Sequence, residues 1–197
     1  MGRGERLILA VRMQSLFYYY KDTLHPFRSI MELSEADMIE FMRVHLPNDS
    51  IFHKDPNGYI RRRRETETWL HETFRKMGGE PLISHPIYMT LGRSSYIESL
   101  GLYQGCVEVP LSLFSGKTIS FTYPDSYVSR WLSETSNEYF DPIIHGRVFA
   151  LADIPGLLGQ GFDHNDAWKI EGRKFDFFVE AQIWDLEPLR GFLPAAV

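Results

Sequence analysis

Lys174-Phe-Asp-Phe-Phe-Val-Glu-Ala-Gln-Ile-Trp184 has the two-residue period of a β-strand. Its centre places Phe177, Val179, Ala181 and Ile183 on one face and Phe178, Glu180, Gln182 and Trp184 on the other. The first set is uniformly apolar and predicts a core-facing surface. The second presents a carboxylate and an amide side by side, flanked by aromatic rings. A pair of this kind in a partly dry setting has the character of a site, because burying either group is costly unless it is engaged. An edge strand showing a polar face to water has the same pattern, and both readings stand at this level.

The rest of the second half has the same texture. Strands are expected over residues 86–91, 106–109, 117–123 and 146–151, and the Glu180 strand closes the sheet. In the third of these, Ile119, Phe121 and Tyr123 share a face. Short helices are expected through Ile97 and Leu100, after Pro124-Asp-Ser126 (carrying Tyr127, Val128, Trp131 and Leu132), and from Asp153 through Leu158. The first third reads as helix. Ser34-Glu-Ala-Asp37 resembles a capping box, and Met38, Phe41, Met42 and His45 follow on one stripe before Pro47-Asn-Asp49 ends it. A second helix is expected over 59–77, with Trp69, Leu70, Thr73, Phe74 and Met77 facing inward and Gly78-Gly79 stopping it. Helices in front and strands behind, without βαβ alternation, predict an α+β fold: a helical N-terminal third packed on a mainly antiparallel or mixed sheet. Residues 1–80 then form the helical region and 81–197 the sheet region, together one compact domain.

At 197 residues, 44% hydrophobic and 14% aromatic, the chain has ample material for a core and none of the composition of a disordered segment. A net charge of −5 disfavours non-specific nucleic-acid binding as the main activity. The single cysteine, Cys106, precludes an internal disulfide and a cysteine-based zinc site, and its strand context predicts a small buried hydrophobe. Leu7-Ile-Leu-Ala-Val11 is short and is followed by Arg12, so neither a signal segment nor a membrane span is expected, and the reading is a cytoplasmic protein with no membrane partner. The seven histidines fall at no metal-ligand spacing, so no metal is expected. Gly-x-Gly-x-x-Gly and P-loop patterns are absent from the sequence.

Three further segments carry candidate chemistry. Arg61-Arg-Arg-Arg64 cannot share one helix face, so two or three of these residues point to solvent and one is free to turn inward; Glu65 and Glu67 lie at pairing distance. The alternative is a phosphate or nucleic-acid contact. In Leu91-Gly-Arg-Ser-Ser95, the serines suit a helix cap, and Arg93 followed by hydroxyls at a strand end suits a diphosphate grip equally well. In Ser120-Phe-Thr-Tyr-Pro-Asp-Ser126, Asp125 or Ser126 can cap the next helix, while Tyr123 at a strand edge can stack on a planar ring. The Gly-x-Ser-x-Gly context of a hydrolase elbow is missing.

The order of motifs in the second half, Pro86-Ile-Tyr88, Val109-Pro-Leu-Ser-Leu-Phe114, Ile119 to Ser126, Trp131-Leu132 and Glu180-Ala-Gln-Ile-Trp184, resembles that of bacterial proteins without an assigned function. As a layout, residues 81–192 also resemble the split sheet of the ADP-ribosyltransferase superfamily. The resemblance implies NAD as co-substrate and Glu180 as the catalytic carboxylate on a late strand. It places Arg93, or Tyr88 in its stead, at the first-strand position, and Tyr123, Thr122 or Ser126 at the middle-strand position. Gln182 would orient the acceptor, which is a protein or a nucleic acid. The chain departs from the family pattern in two respects: Gln182 follows Glu180 instead of preceding it, and the middle strand has no Ser-Thr-Ser run. Two other functions stand beside this one: a non-catalytic interaction domain in which an internal arginine such as Arg93 or Arg147 neutralises Glu180, and a nucleic-acid-binding protein using Arg61 to Arg64.

Overall fold

The computed structural model describes residues 15–21, 27–46, 51–160, 169, 175 and 177–192. In chain order the main elements are β1 (Ser15–Tyr20), α1 (Glu35–His45), α2 (Ile51–Lys54), α3 (Pro56–Lys76), β2 (Ile87–Leu91), α4 (Ser95–Ser99), β3 (Gly105–Pro110), β4 (Ile119–Thr122), α5 (Ser126–Glu134), β5 (Phe149–Ala150), α6 (Ile154–Gly159) and β6 (Glu180–Ile183). Short 3-10 turns connect several of them. The six strands form one sheet in the order β3-β1-β2-β6-β4-β5, and every adjacent pair is antiparallel. The fold is α+β, and the helical N-terminal part packs against the sheet.

The helices start where their caps dictate. Ser34 Oγ accepts from the Asp37 N–H (3.2 Å) and donates to Asp37 Oδ2 (2.6 Å), satisfying a free donor in the first turn of α1. Asp55 Oδ1 does the same for the Gly58 N–H at the start of α3, where Pro56 supplies a pre-set φ. The helix ends at Gly78, whose φ of +91° is a conformation glycine adopts without steric cost. Met38, Met42, Leu70 and Phe74 are buried as their stripes require. Met77, expected inside, is 42% exposed because it lies at the cap, where the helical stripe no longer applies.

Three expectations change. The N-terminal third is not all helical, since β1 inserts between β2 and β3; its Leu-Phe-Tyr-Tyr-Tyr run suits a pleated surface better than a helix. The Glu180 strand does not lie at an edge but is flanked by β2 and β4. The strand expected over 146–151 shortens to Phe149–Ala150, with Gly146 at φ +70° leaving the extended conformation.

The register divides the sheet into two unlike faces. Leu16, Ile87, Met89, Leu91, Ile119, Phe121, Ala181 and Ile183 belong to the main apolar core. On the opposite face, two cross-strand rows run over the three central strands: Thr90–Glu180–Thr122 and Tyr88–Gln182–Ser120. Both rows are polar and covered, by α3 through Glu67 and Phe74 and by the start of α5. Covering a polar sheet face with helices requires that its side chains find partners within the protein.

Candidate functional site

The partners of the two rows form a directed chain. Trp184 Nε1 donates to Ser120 Oγ (2.9 Å), and Ser120 Oγ donates to Gln182 Oε1 (3.0 Å). The Gln182 amide then donates from Nε2 to Thr122 Oγ1 (3.0 Å) and to Glu180 Oε1 (2.9 Å). The main-chain N–H of Ser126, in the first turn of α5, donates to the same Glu180 oxygen at 3.0 Å. Ser120, Thr122, Gln182 and Trp184 have no exposed surface, and Glu180 retains 6%. Two donors thus hold Oε1, while Oε2 accepts no hydrogen bond among the described residues. A buried carboxylate fixed on one oxygen and open on the other is a pre-oriented acceptor.

Glu180 lines a cleft of about 410 Å³, within the range of small-molecule sites. Its walls are aromatic: Tyr19, Tyr59, Tyr88, Tyr96, Phe177 and Phe178. Tyr96 stacks on Phe177 with centroids 4.1 Å apart and planes 22° from parallel, forming one broad ring surface. Asp125 opens onto the same cleft while its Oδ1 caps α5 by accepting from the Val128 N–H (3.1 Å). Burial, and then the charge of Glu180, raise the Asp125 carboxyl from the ordinary aspartate value to about 7.

The fourth wall comes from α3. Arg63 lies over the ring of Tyr88, 4.2 Å from its centroid, and its Nε is 3.6 Å from Glu67 Oε1. Burial opposes the arginine charge, but Tyr88, Tyr59, Glu67 and Glu180 outweigh it and raise the pKa above the ordinary value. Glu67 is 3% exposed, and both of its oxygens are already engaged: Oε1 accepts from the Tyr88 hydroxyl (3.0 Å) and Oε2 meets His85 Nδ1 at 2.6 Å. The Tyr88 phenol is raised well above its ordinary value, by burial first, against the pull of Arg63.

Sequence-derived candidates fall in several places. Glu180 and Tyr88 line the cleft. Gln182 touches Glu180 but is sealed beneath it with every polar atom engaged, which makes it a positioning residue. Ser126 reaches Glu180 through its backbone, and its buried hydroxyl has no partner among the described residues. Tyr123, 1% exposed, packs in the main apolar cluster. Arg93 is 61% exposed, pairs with Glu98 at 2.7 Å and does not line the Glu180 cleft but a neighbouring depression, which shares Tyr19 with that cleft and includes Cys106. Arg147 is exposed and lines a pocket beside α6.

In the sequence, Asp125 reads as a helix cap and Arg63 and Glu67 as a pairing on one helix, and none of the three is assigned to the site. A signal existed: Tyr59, Arg63, Glu67, Leu70 and Phe74 recur at helical spacing, so the inner stripe of α3 continues into charged residues. Compared with known proteins, the chain matches no family model, and no curated protein or solved structure matches it either.

Proposed function

We propose that this protein is an ADP-ribosyltransferase-like enzyme that consumes NAD and uses Glu180 as its catalytic carboxylate. The observation that carries the reading is the state of Glu180: buried at the centre of the sheet, held at Oε1 by Ser126 and Gln182, without a hydrogen bond to Oε2 among the described residues, and lining an aromatic-walled cleft.

Cleaving the bond between nicotinamide and ribose passes through an oxocarbenium-like state. The bonding pair leaves with the nicotinamide nitrogen, which becomes neutral, and positive charge develops on the ribose C1′. A carboxylate that accepts from a ribose hydroxyl and faces C1′ stabilises that charge, and it does so best where water is excluded and the group needs no reorganisation. Glu180 takes this role, with the Gln182 chain keeping it in place. The ring surface of Tyr96 and Phe177 takes the planar nicotinamide. The acceptor nucleophile bonds to C1′ and gives up its proton; Asp125, titrating near neutrality in the same cleft, is placed to receive it.

The test is NAD binding and nicotinamide release by purified wild-type protein beside Glu180→Gln. The amide can still accept at Oε1, so the fold is retained. Loss of turnover by about a hundredfold or more in the variant is the expected result. An absence of NAD binding at millimolar concentration, or full turnover by the variant, overturns the reading.

A further inference from the structure

A second cavity of about 290 Å³ adjoins the Glu180 cleft and shares five wall residues with it: Tyr19, Tyr59, Arg63, Tyr88 and Tyr103. The two differ sharply in charge. The Glu180 cleft has two carboxylates, Asp125 and Glu180, among its lining groups. The adjoining cavity is lined by Lys21, Arg28 and Arg63 and by no acidic residue among those described. Arg63 stands on the shared wall, so the combined cleft is acidic at one end and cationic from Arg63 onward.

The guanidinium of Arg63 is short of acceptors. Glu67 is its nearest carboxylate, but the 3.6 Å separation is too long for a hydrogen bond, and both Glu67 oxygens are occupied by Tyr88 and His85. The buried Nε has no hydrogen-bond partner among the described residues. A guanidinium presents five N–H donors in a fixed planar fork that matches phosphate oxygens two at a time. The cavity at whose mouth it stands is aromatic-walled, and its charged lining groups are Lys21, Arg28 (itself 3.7 Å from Glu32) and Arg63. A fork held there over Tyr88, and left without acceptors among the described residues, is built to receive an oxyanion.

We infer that Arg63 is the anion receptor of this cleft, and that its ligand is a nucleoside diphosphate whose phosphates lie against Arg63 and the Lys21–Arg28 cavity, with the other end against Glu180. This rests on the proposed NAD reading and adds to it: the diphosphate falls to Arg63 on α3 instead of Arg93, and the acidic end takes the positively charged nicotinamide ring. The polarity of the cleft therefore matches that of oxidised NAD from end to end.

The experiment is calorimetry with three probes (inorganic pyrophosphate, ADP-ribose and nicotinamide riboside) on wild-type protein and the variants Arg63→Gln, Arg63→Lys, Lys21→Met and Glu180→Gln. Pyrophosphate and ADP-ribose are expected to bind wild type and to weaken by about tenfold or more in Arg63→Gln and less in Arg63→Lys. ADP-ribose, whose terminal ribose lies against Glu180, also weakens in Glu180→Gln, and pyrophosphate does not. Nicotinamide riboside should show the reverse of the pyrophosphate dependence. Lys21 lies outside α3, so Lys21→Met tests the cationic cavity even if Arg63→Gln fails to fold. Wild-type protein that binds neither anion at millimolar concentration, or folded Arg63→Gln and Lys21→Met that bind both as tightly as wild type, overturns the inference. Arg63-dependent binding of ADP-ribose in a protein that never releases nicotinamide upholds the anion site and sinks the enzymatic reading. Nicotinamide release that is unchanged in both cation variants does the opposite.

Discussion

The main-chain N–H of Ser126 donates to Glu180 Oε1 at 3.0 Å, so the first turn of α5 holds the carboxylate at the centre of the sheet. Helix N-termini offer unsatisfied N–H groups, and one of those in α5 is spent on this side chain. The relationship separates the backbone of Ser126 from its hydroxyl. Ser126→Ala is expected to change stability by less than about 0.5 kcal/mol, because the hydroxyl has no partner to lose among the described residues. Ser126→Pro keeps a residue suited to the first helical position but removes the donor, at a cost of about 2 kcal/mol. Urea denaturation of the two variants decides it: equal losses would mean that the N–H does not hold Glu180.

Gln182 is the hub of the polar chain. Gln182→Leu keeps the volume but removes the acceptor of the Ser120 hydroxyl and the donor to Thr122 Oγ1 and Glu180 Oε1. The expected loss is about 3 kcal/mol, equivalent to a fall in Tm of about 6–12 °C for a chain of this size. Calorimetric melting reads it, and a shift below 2 °C, which is about 1 kcal/mol or less, would show that water replaces the amide.

Asp125 makes stability depend on pH in a stated direction. Its folded-state pKa, about 7, lies above the unfolded value, so the folded protein binds the extra proton between the two. The stabilising contribution of the protonated acid is complete below about pH 4 and is lost as pH rises through 7. Asp125→Asn retains a good capping side chain and has no proton to lose. The variant should gain on wild type steadily from pH 5 to pH 8; parallel stability curves over that range would remove the assignment.

Arg63 and Arg64 of α3 should differ in their energetics. Arg64 pairs with Glu35 at 3.1 Å between half-exposed side chains, so Arg64→Ala is expected to cost under about 1 kcal/mol. Glu67→Ala leaves Arg63 without its buried counter-charge and removes the hydrogen-bond partner of Tyr88 and His85, and should cost about 3–5 kcal/mol. Chemical denaturation at low and high salt checks both, and only the Arg64 effect should vanish at high salt.

Much of this was legible before any coordinates. Capping chemistry and apolar stripes located α1 and α3 within a few residues, because those signals are local: a side chain and the N–H three residues on, or positions one helical turn apart. The two-residue period of β6 placed Glu180 and Gln182 on one face for the same reason. Composition and element order were enough for the α+β class.

Alternation states which side chains share a face, but not which strands lie alongside, and neighbours in this sheet are drawn from opposite ends of the chain. The order β3-β1-β2-β6-β4-β5 places β6 in the interior, with Thr90 and Thr122 on either side of Glu180, and the helices α3 and α5 laid over that face decide between an edge open to water and a buried row. Helical spacing aligns Arg63 with Tyr59, Glu67, Leu70 and Phe74, but only α3 seated on the sheet shows what that stripe meets, with Arg63 over Tyr88. The sequence by itself determined the elements and the faces of their side chains, through interactions within a turn or between next-but-one residues. The tertiary structure decided the company those faces keep, because pairings between distant segments depend on the packing of the whole chain and leave no periodic trace in it.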